Sequence, residues 1–402
     1  MKQHYQILIV GGGNAGISLA AQLLRKNSKL DIAILDPAEK HYYQPAWTLV
    51  AGGVFDINDT VRGEAEVMPE QVAWIKEAAA SFEPEKNTVV TTPGSRYTYD
   101  YLVVCPGIQL DWKKIKGLEG NVGKNGITSN YLFQSAPYTF ECLKNLKKGK
   151  AIFTNPNTPI KCGGAPQKIT YLAADYWRKQ GVLGDVEVHF YSGGGVIFGI
   201  PKYAATLNKV IDRYGIKTHF LHNLTEVKPD SKEAVFDIYK EGKIVDQVTT
   251  NYDMIHITPP MSAPDFIKNS PLAVPGSPFG WVDVDKFTLQ HKRYPNIYSI
   301  GDASSTPNAK TGAAVRKQAP VLVQQLLSQI SHGKPADAKY TGYGSCPLIT
   351  GYGKLVLAEF DYDNNPMETF PFDQSKERWS MYQLKKRVLP WLYWNKILKG
   401  TA

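Results

Sequence analysis

An α/β chain with two Rossmann-like dinucleotide-binding domains (the FAD/NAD(P)-binding fold) and a C-terminal membrane-association segment is what this sequence predicts. Three observations predict it. A short apolar run, Gln6 to Val10, feeds the glycine pattern Gly11-x-Gly13-x-x-Gly16. A second run, Ala151 to Thr154, opens another strand–loop–helix pattern. Beyond Asp373 the chain turns basic and aromatic.

The first run has the continuous apolar character of a central parallel strand buried on both faces. A helix over Ile17 to Arg25 follows the glycines. Then comes a strand, Asp31 to Asp36, whose terminal acid lies about 20 residues past the last glycine, the ribose-binding spacing. Val72 to Ile75 and Thr88 to Val90 read as short strands around a turn at Pro84. Tyr101 to Cys105 is another buried strand, closing on Pro106-Gly107.

The second unit begins near Lys150. After Ala151 to Thr154 comes a loop, Lys161-Cys162-Gly163-Gly164-Ala165-Pro166, then a helix over Ile169 to Lys179 whose first turn accommodates Pro166. Val186 to Tyr191 is the next strand. Glu233 to Tyr239 and Lys243 to Val248 form a hairpin, and Met254 to Ile257 returns to a sheet. Ile297 to Asp302 is a last parallel strand ending in an acid, and Ala313 to Ser331 is a helix. These patterns divide the chain into 1–112 with 283–335, 113–282, and a C-terminal region 336–402.

The 402 residues carry a formal charge of +9, with 43% hydrophobic and 21% charged residues, a composition of folded rather than disordered chains. Four cysteines with no C-x-x-C spacing form neither a disulfide framework nor a zinc site. The first strand starts almost at Met1, which leaves no room for a secretory signal. No apolar run reaches the ~20 residues of a membrane span, so any membrane contact is peripheral.

Gly11 permits the tight turn, Gly13 lets backbone approach a pyrophosphate, and Gly16 lets helix and strand pack closely. The anion then sits at a helix N-terminus, where free N–H groups favour it. With a preceding strand, a following helix and Asp36, this site fits FAD. Gly301-Asp302 adds a second signal, an acid placed for a ribityl hydroxyl or, alternatively, for an N-cap. Lys310-Thr311-Gly312-Ala313 opens the next helix and sets positive charge where a reduced flavin ring would be stabilised.

The corresponding loop of the second unit has no nucleotide glycines and carries Cys162 instead. The only other candidate, Ser192-Gly193-Gly194-Gly195-Val196-Ile197-Phe198, has Phe where the third glycine belongs. Electrons are therefore expected to enter by a route other than NAD(P)H. Lys161 and the nearby helix start both favour a thiolate at Cys162. Cys346, in Gly342-Tyr343-Gly344-Ser345-Cys346-Pro347, reads as an exposed sulfur in a glycine-rich loop. Cys105 and Cys142 read as buried core. Spacing alone leaves open whether Cys162 and Cys346 meet.

Over essentially its whole length the chain resembles the sulfide:quinone oxidoreductases of the mitochondrial type. The matching segments are His41 to Leu49, Pro159 to Lys168, Thr258 to Ser262, Ser345 to Tyr352 and Phe370 to Arg378. The resemblance implies a flavoprotein with FAD in the first domain, contacted near Asn14, Ala15, Asp36, Gln44, Ala79, Asp302 and Lys310 to Ala313. Gly11, Gly13, Gly16 and Gly107 complete the expected cofactor set. It implies that Cys162 and Cys346 are the redox cysteines, with a persulfide on Cys346 and Cys162 facing the flavin. It further implies hydrogen sulfide, a quinone and a small-molecule sulfur acceptor as partners. No metal and no nucleic acid is expected, and a homo-oligomer is left open.

The tail supports a lipid surface. From Asp373 to Lys399 there are seven Lys/Arg against two acids. Trp379, Met381, Leu384 and Val388, then Trp391, Trp394 and Leu398, fall at helical spacing. A basic, Trp-rich helix over residues 379–402 suits an interface, and packing on the protein's own core is the alternative. The early first strand suggests a bacterial protein at the cytoplasmic membrane. Two other functions fit the same elements: a type II NADH:quinone dehydrogenase, and a flavin redox sensor without turnover.

Overall fold

The computed structural model describes residues 2–402. The apolar run near the N-terminus is the strand His4–Val10, in the middle of a seven-stranded sheet. It pairs in parallel with Ile32–Leu35 on one side and Arg96–Val104 on the other. Leu8, Ile9 and their neighbours are buried on both faces, which is why the run is uninterrupted by polar residues. The helix Asn14–Lys26 follows the glycines directly.

Two details of this sheet differ from the expected pattern. An additional strand, Ala79–Glu83, pairs antiparallel with Thr88–Thr91 before the turn at Pro84–Lys86. Its burial does not alternate and hides only Phe82 well, so five residues carry no readable period. The late strand is shorter than expected: only Ile297–Tyr298 pairs, with Leu102 and Val103. Gly301, at φ +72°, turns the chain into a single helical turn, Gly301–Ala303, which places Asp302 outside the sheet.

The second sheet has five parallel strands in the order Ile127–Thr128, Met254–His256, Gly149–Asn155, Val186–Ser192 and Lys217–Phe220. The helix Ala165–Gln180 carries Pro166 in its first turn, where a missing N–H costs nothing, and ends at Gly181 with φ +75°. A three-stranded antiparallel sheet, His222–Lys228, Glu233–Lys240 and Lys243–Asn251, contains the expected hairpin. A short antiparallel pair, Gln109–Leu110 with Met261–Ser262, ties the two crossings between the large sheets together.

The last long helix, Gly312–His332, packs beside Asn14–Lys26. After it comes a hairpin, Gly344–Gly351 with Lys354–Phe360, which sits on the helix Ala165–Gln180. The tail is helical in four short pieces. Trp379–Gln383 and Leu389–Leu392 are α, while Leu384–Val388 and Tyr393–Ile397 are wider π turns. Met381 and Tyr382 join the core under the second sheet, whereas Tyr393, Trp394 and Leu398 join the core under the first. No helix among the described residues is long and apolar enough to cross a membrane.

The single apolar face expected of the tail is therefore divided. Met381, Trp394 and Leu398 are buried, while Trp379, Val388 and Trp391 are 68%, 46% and 55% exposed. The π turns explain this. Each adds a residue to the repeat, so positions spaced for a 3.6-residue helix end on different sides.

Candidate active site

The glycine loop is built as tightly as its sequence demands. Gly11 lies at φ +110°, and a Cβ there would sit 2.6 Å from the Cys105 carbonyl oxygen. A Cβ on Gly16 would collide with the Gly11 carbonyl. Gly13, by contrast, faces open space, as a residue that a pyrophosphate must approach should. Asp36 accepts from the N–H of Gly12 at 2.5 Å and of Ala38 at 2.8 Å, so its carboxylate is fixed at the end of its strand. A second helix start converges here. Gly312 opens its helix 3.4 Å (from its Cβ position) from the Asn14 amide, Gly301 lies against Ala15, and Thr311 caps that helix by accepting from Ala314 N at 3.2 Å. Two helix N-termini, an open glycine and a fixed acid make a cradle that fits a dinucleotide.

The remaining cofactor candidates are spread around this cradle. Gly107 turns at φ +85° beyond the strand Arg96–Val104. Ala79 lies on the added strand and packs against the core containing Leu35 and Ile75. Asp302 is half-buried, and burial raises its carboxyl above the ordinary range against the pull of Lys310 and Lys161. Lys310 differs from expectation. Its ammonium turns inward, donating to the Ser304 carbonyl at 2.9 Å and lying 3.9 Å from the Trp281 ring centroid. Burial lowers it to about 8.

Cys162 stands in the strand-to-helix loop of the second sheet, one residue type that rarely takes its φ of +52°. Two backbone bonds hold it there. Its N–H donates to the Lys310 carbonyl at 2.9 Å, and its own carbonyl accepts from Ala165 at 2.8 Å, the first residue of the helix. The loop that opens the helix Gly312–His332 is thus bonded directly to the cysteine loop. Cys346 Sγ lies 3.9 Å from Cys162 Sγ, and all four cysteines are free thiols.

Cys346 is not the exposed loop sulfur that its glycines suggested. It is 2% exposed, in the strand Gly344–Gly351 opposite Ala358. The turn is made upstream, at Gly342 with φ +86°, and Gly344 is already in the sheet. Gly164 makes room for the sulfur: a Cβ there would lie 2.5 Å from Cys346 Sγ. Cys105 is buried, with its thiol pushed up by burial. Cys142 is only half-buried on the helix Ser135–Asn145, beside the core that contains Cys346 rather than inside it.

The cation at the thiolate is also corrected. Lys161 points away, donating to the Gln44 side chain, and burial lowers it to about 8. Lys168 is the partner instead, with Nζ 3.0 Å from Cys162 Sγ. Neighbours in a bent loop diverge, whereas a residue in the first helical turn points back toward the N-terminus. A hydrogen bond from the Cys346 thiol, with the charge of Lys168, outweighs burial and holds Cys162 well below the ordinary thiol range. The same bond, with burial, holds Cys346 well above it. Burial pushes Lys168 down, yet the two sulfurs more than restore it.

A further lysine arrives from the tail. Lys385 is 4% exposed, donates to the Pro45 carbonyl at 2.8 Å, and feels both sulfurs. Burial and repulsion from Lys168 lower it to about 7. Neither Lys168 nor Lys385 was singled out from the sequence as a site residue. Lys168 sits inside an amphipathic helix, and Lys385 is one of a run read as the basic face of a helix at a lipid interface. The only signal was a lysine at a position whose helical neighbours, Ala165 and Ile169, are core.

A cradle that fits a dinucleotide, bonded to a two-cysteine centre on two Rossmann-like sheets, is the architecture of a flavin-dependent oxidoreductase. The pyridine nucleotide-disulphide oxidoreductase family matches residues 5–143. The chain belongs to the sulfide:quinone oxidoreductase family: it is 49% identical to the mitochondrial sulfide:quinone oxidoreductase of Dictyostelium discoideum over 402 residues, 100% of this chain and 87% of that protein. The mitochondrial protein of that name from Mus musculus is 46% identical over 99% of this chain and 87% of its own length. The X-ray structure of the sulfide:quinone oxidoreductase from Aquifex aeolicus shares the fold, with a TM-score of 0.81 at 19% identity. It covers 98% of this chain and 92% of that one.

Proposed function

We propose that the protein oxidises hydrogen sulfide to sulfane sulfur and passes two electrons through a Cys162–Cys346 disulfide and FAD to a quinone. The observation that carries this is the sulfur pair 3.9 Å apart, with Lys168 on one sulfur and the Lys310 turn bonded to its backbone. In the oxidised enzyme, hydrosulfide attacks Cys346 Sγ. A new S–S bond forms there as a persulfide, the Cys162–Cys346 bond breaks, and its electron pair leaves on Cys162. The lysine favours that direction, because a sulfur with a depressed thiol pKa leaves faster. A nucleophilic acceptor then takes the sulfane sulfur and leaves Cys346 as a thiolate. The pair recloses to a disulfide, giving up two electrons. Bound in the cradle, the flavin supplies the two-electron acceptor for that closure and the donor to quinone, which takes up two protons.

The same reading divides the chain into a cofactor domain (1–112 and 283–335), a second Rossmann-like domain (113–282) and a region 336–402 carrying Cys346 and the tail. Quinones dissolve in the bilayer, so the active centre must face one. Trp379, Val388 and Trp391, beside exposed Arg387 and Lys396, are the residues that would lie in the lipid interface. The Dictyostelium and mouse relatives are named as mitochondrial proteins, and the quinone would come from the membrane on which the protein lies.

An anaerobic sulfide titration of the purified protein tests the proposal. With sulfite present as the sulfur acceptor, sulfide is expected to bleach the oxidised flavin band at one equivalent per cofactor, and added quinone to restore it. Bleaching by NADH and not by sulfide would instead favour the type II dehydrogenase reading. No bleaching by either would favour a redox sensor.

A further inference from the structure

Glu64 opens a one-turn helix just after the strand Val61–Gly63, which pairs with Lys40–Tyr42 and so brings His41 beside it. Both side chains are almost completely buried, Glu64 2% and His41 3% exposed. One carboxylate oxygen, Oε2, lies 3.2 Å from His41 Nδ1. The other ring nitrogen, Nε2, lies 2.6 Å from the hydroxyl of Tyr393, in the tail. Burial keeps that phenol protonated. Glu64, His41 and Tyr393 thus form one buried chain of hydrogen bonds that runs from the glycine loop to the tail.

The second carboxylate oxygen of Glu64, Oε1, is buried and has no partner. A buried carboxylate oxygen left without a donor is costly, and native structures rarely tolerate one. Its place is informative. A Cβ built on Gly12, inside the glycine loop, would be 2.9 Å from Glu64 Oε1 and 3.0 Å from the Asp36 Cβ. The orphaned oxygen thus borders the same loop residue as Asp36, whose two oxygens are already engaged by backbone N–H groups.

We infer that Glu64 is a second carboxylate of the adenosine-ribose site, accepting a ribose hydroxyl at Oε1, and that His41 and Tyr393 link this contact to docking of the C-terminal tail. A dinucleotide supplies the missing donor, two vicinal hydroxyls facing two acids. Filling Oε1 fixes Glu64, which fixes His41, which holds the Tyr393 hydroxyl. By linkage, dinucleotide and tail then stabilise each other's binding. The inference rests on the reading that the cradle holds FAD.

The test is exchange on the full-length holoprotein, using FAD analogues that lack the 2′- or 3′-hydroxyl of the adenosine ribose. Wild type should prefer FAD over one analogue by about tenfold, the worth of a hydrogen bond to a charged acceptor. Glu64→Ala should release FAD about tenfold faster and lose that preference, since the two changes remove the same contact. Tyr393→Phe should keep the preference but bring the ratio of tail-cleavage rates by trypsin, without and with FAD, toward one. Equal retention of FAD and both analogues by wild type overturns the Glu64 assignment without any variant having to fold. A Glu64→Ala protein that still discriminates overturns it too, and an unchanged cleavage ratio in Tyr393→Phe overturns the link to the tail. A purified protein that binds no FAD breaks the cofactor reading itself, a distinguishable result.

Discussion

The two strand–loop–helix turns that head the large sheets occupy equivalent places and set different surroundings before their helices. In the first, the strand His4–Val10 passes through three glycines to the helix at Asn14, and the helix start is left open at Gly13. In the second, the strand Gly149–Asn155 passes through a longer loop to the helix at Ala165, and the space before the helix holds Cys162 with Lys168 on its sulfur. A helix N-terminus favours negative charge whichever group brings it. In the function proposed above, the first turn would offer that field to the pyrophosphate of a bound cofactor. The second has turned it inward onto a sulfur carried by the chain.

Removing the sulfurs breaks this contrast most completely. Cys162→Ser and Cys346→Ser should each lower sulfide-dependent quinone reduction by on the order of 1,000-fold or more while keeping bound flavin, since members of one covalent relay fail as a unit. Near-normal turnover in either, measured with sulfide and a soluble quinone, would refute the relay. The complementary break is Gly11→Ala. Its Cβ would strike the Cys105 carbonyl at an unfavourable φ, so flavin content should fall by about 100-fold in affinity while Cys162 remains alkylatable. Flavin absorbance at matched protein concentration checks this.

Lys168→Met sharpens the comparison instead of breaking it. If the second turn is an anion site whose anion is a thiolate, removing its cation should move the onset of Cys162 alkylation by iodoacetamide to higher pH. Activity at neutral pH should drop by about tenfold. Flavin absorbance should stay as in the wild type. An alkylation profile that does not move would mean that the helix and the Cys346 thiol suffice.

The parts of this arrangement that were legible in the sequence are those enforced by one local rule. The glycines at 11, 13 and 16, the acid at 36 and Pro166 at a helix start each follow from backbone sterics within a few residues. Cys162 was legible because it replaced something with a known pattern. What was illegible depended on distant chain. Lys168 is indistinguishable from a surface lysine until Cys162 is folded back onto its helix. Glycines around Cys346 read as a loop because they sit before a strand whose partner, Lys354–Phe360, covers the sulfur. The buried Lys385 was hidden in a run of three basic residues, of which Arg387 is exposed. Division of the tail's apolar residues followed from π turns, which no spacing rule anticipates.

Lys385 carries a smaller and oppositely signed effect. Its lowered value of about 7 means the folded protein releases that proton between about pH 7 and 10, where an unfolded lysine still holds it. The unfolded chain binds more protons in that window, so this residue's cost is fully present below pH 7 and fades as pH rises through it. Lys385→Met should therefore stabilise the protein by about 1–4 kcal/mol at pH 6 and by little near pH 10, while raising the onset of Cys162 alkylation less than Lys168→Met does. Thermal melts at the two pH values read the sign directly. A variant destabilised at pH 6 would show that the bond to Pro45 outweighs burial of the charge.

The smallest effect concerns the tail's outer surface. Deleting residues 379–402 would remove Met381, Trp394 and Leu398 from two cores, so a loss of membrane binding in that truncation would say nothing about lipid. Trp379→Ser with Trp391→Ser touches only side chains that are more than half exposed, and leaves Lys385 and Tyr393 in place. If these rings enter the interface, the double variant should bind anionic liposomes several-fold more weakly at unchanged flavin content and melting temperature. Its residual binding should weaken further with salt, because Arg387, Lys396 and Lys399 still attract the lipid surface through a screened field. Unchanged liposome sedimentation would leave the two tryptophans as bystanders and move the quinone's entry to another face.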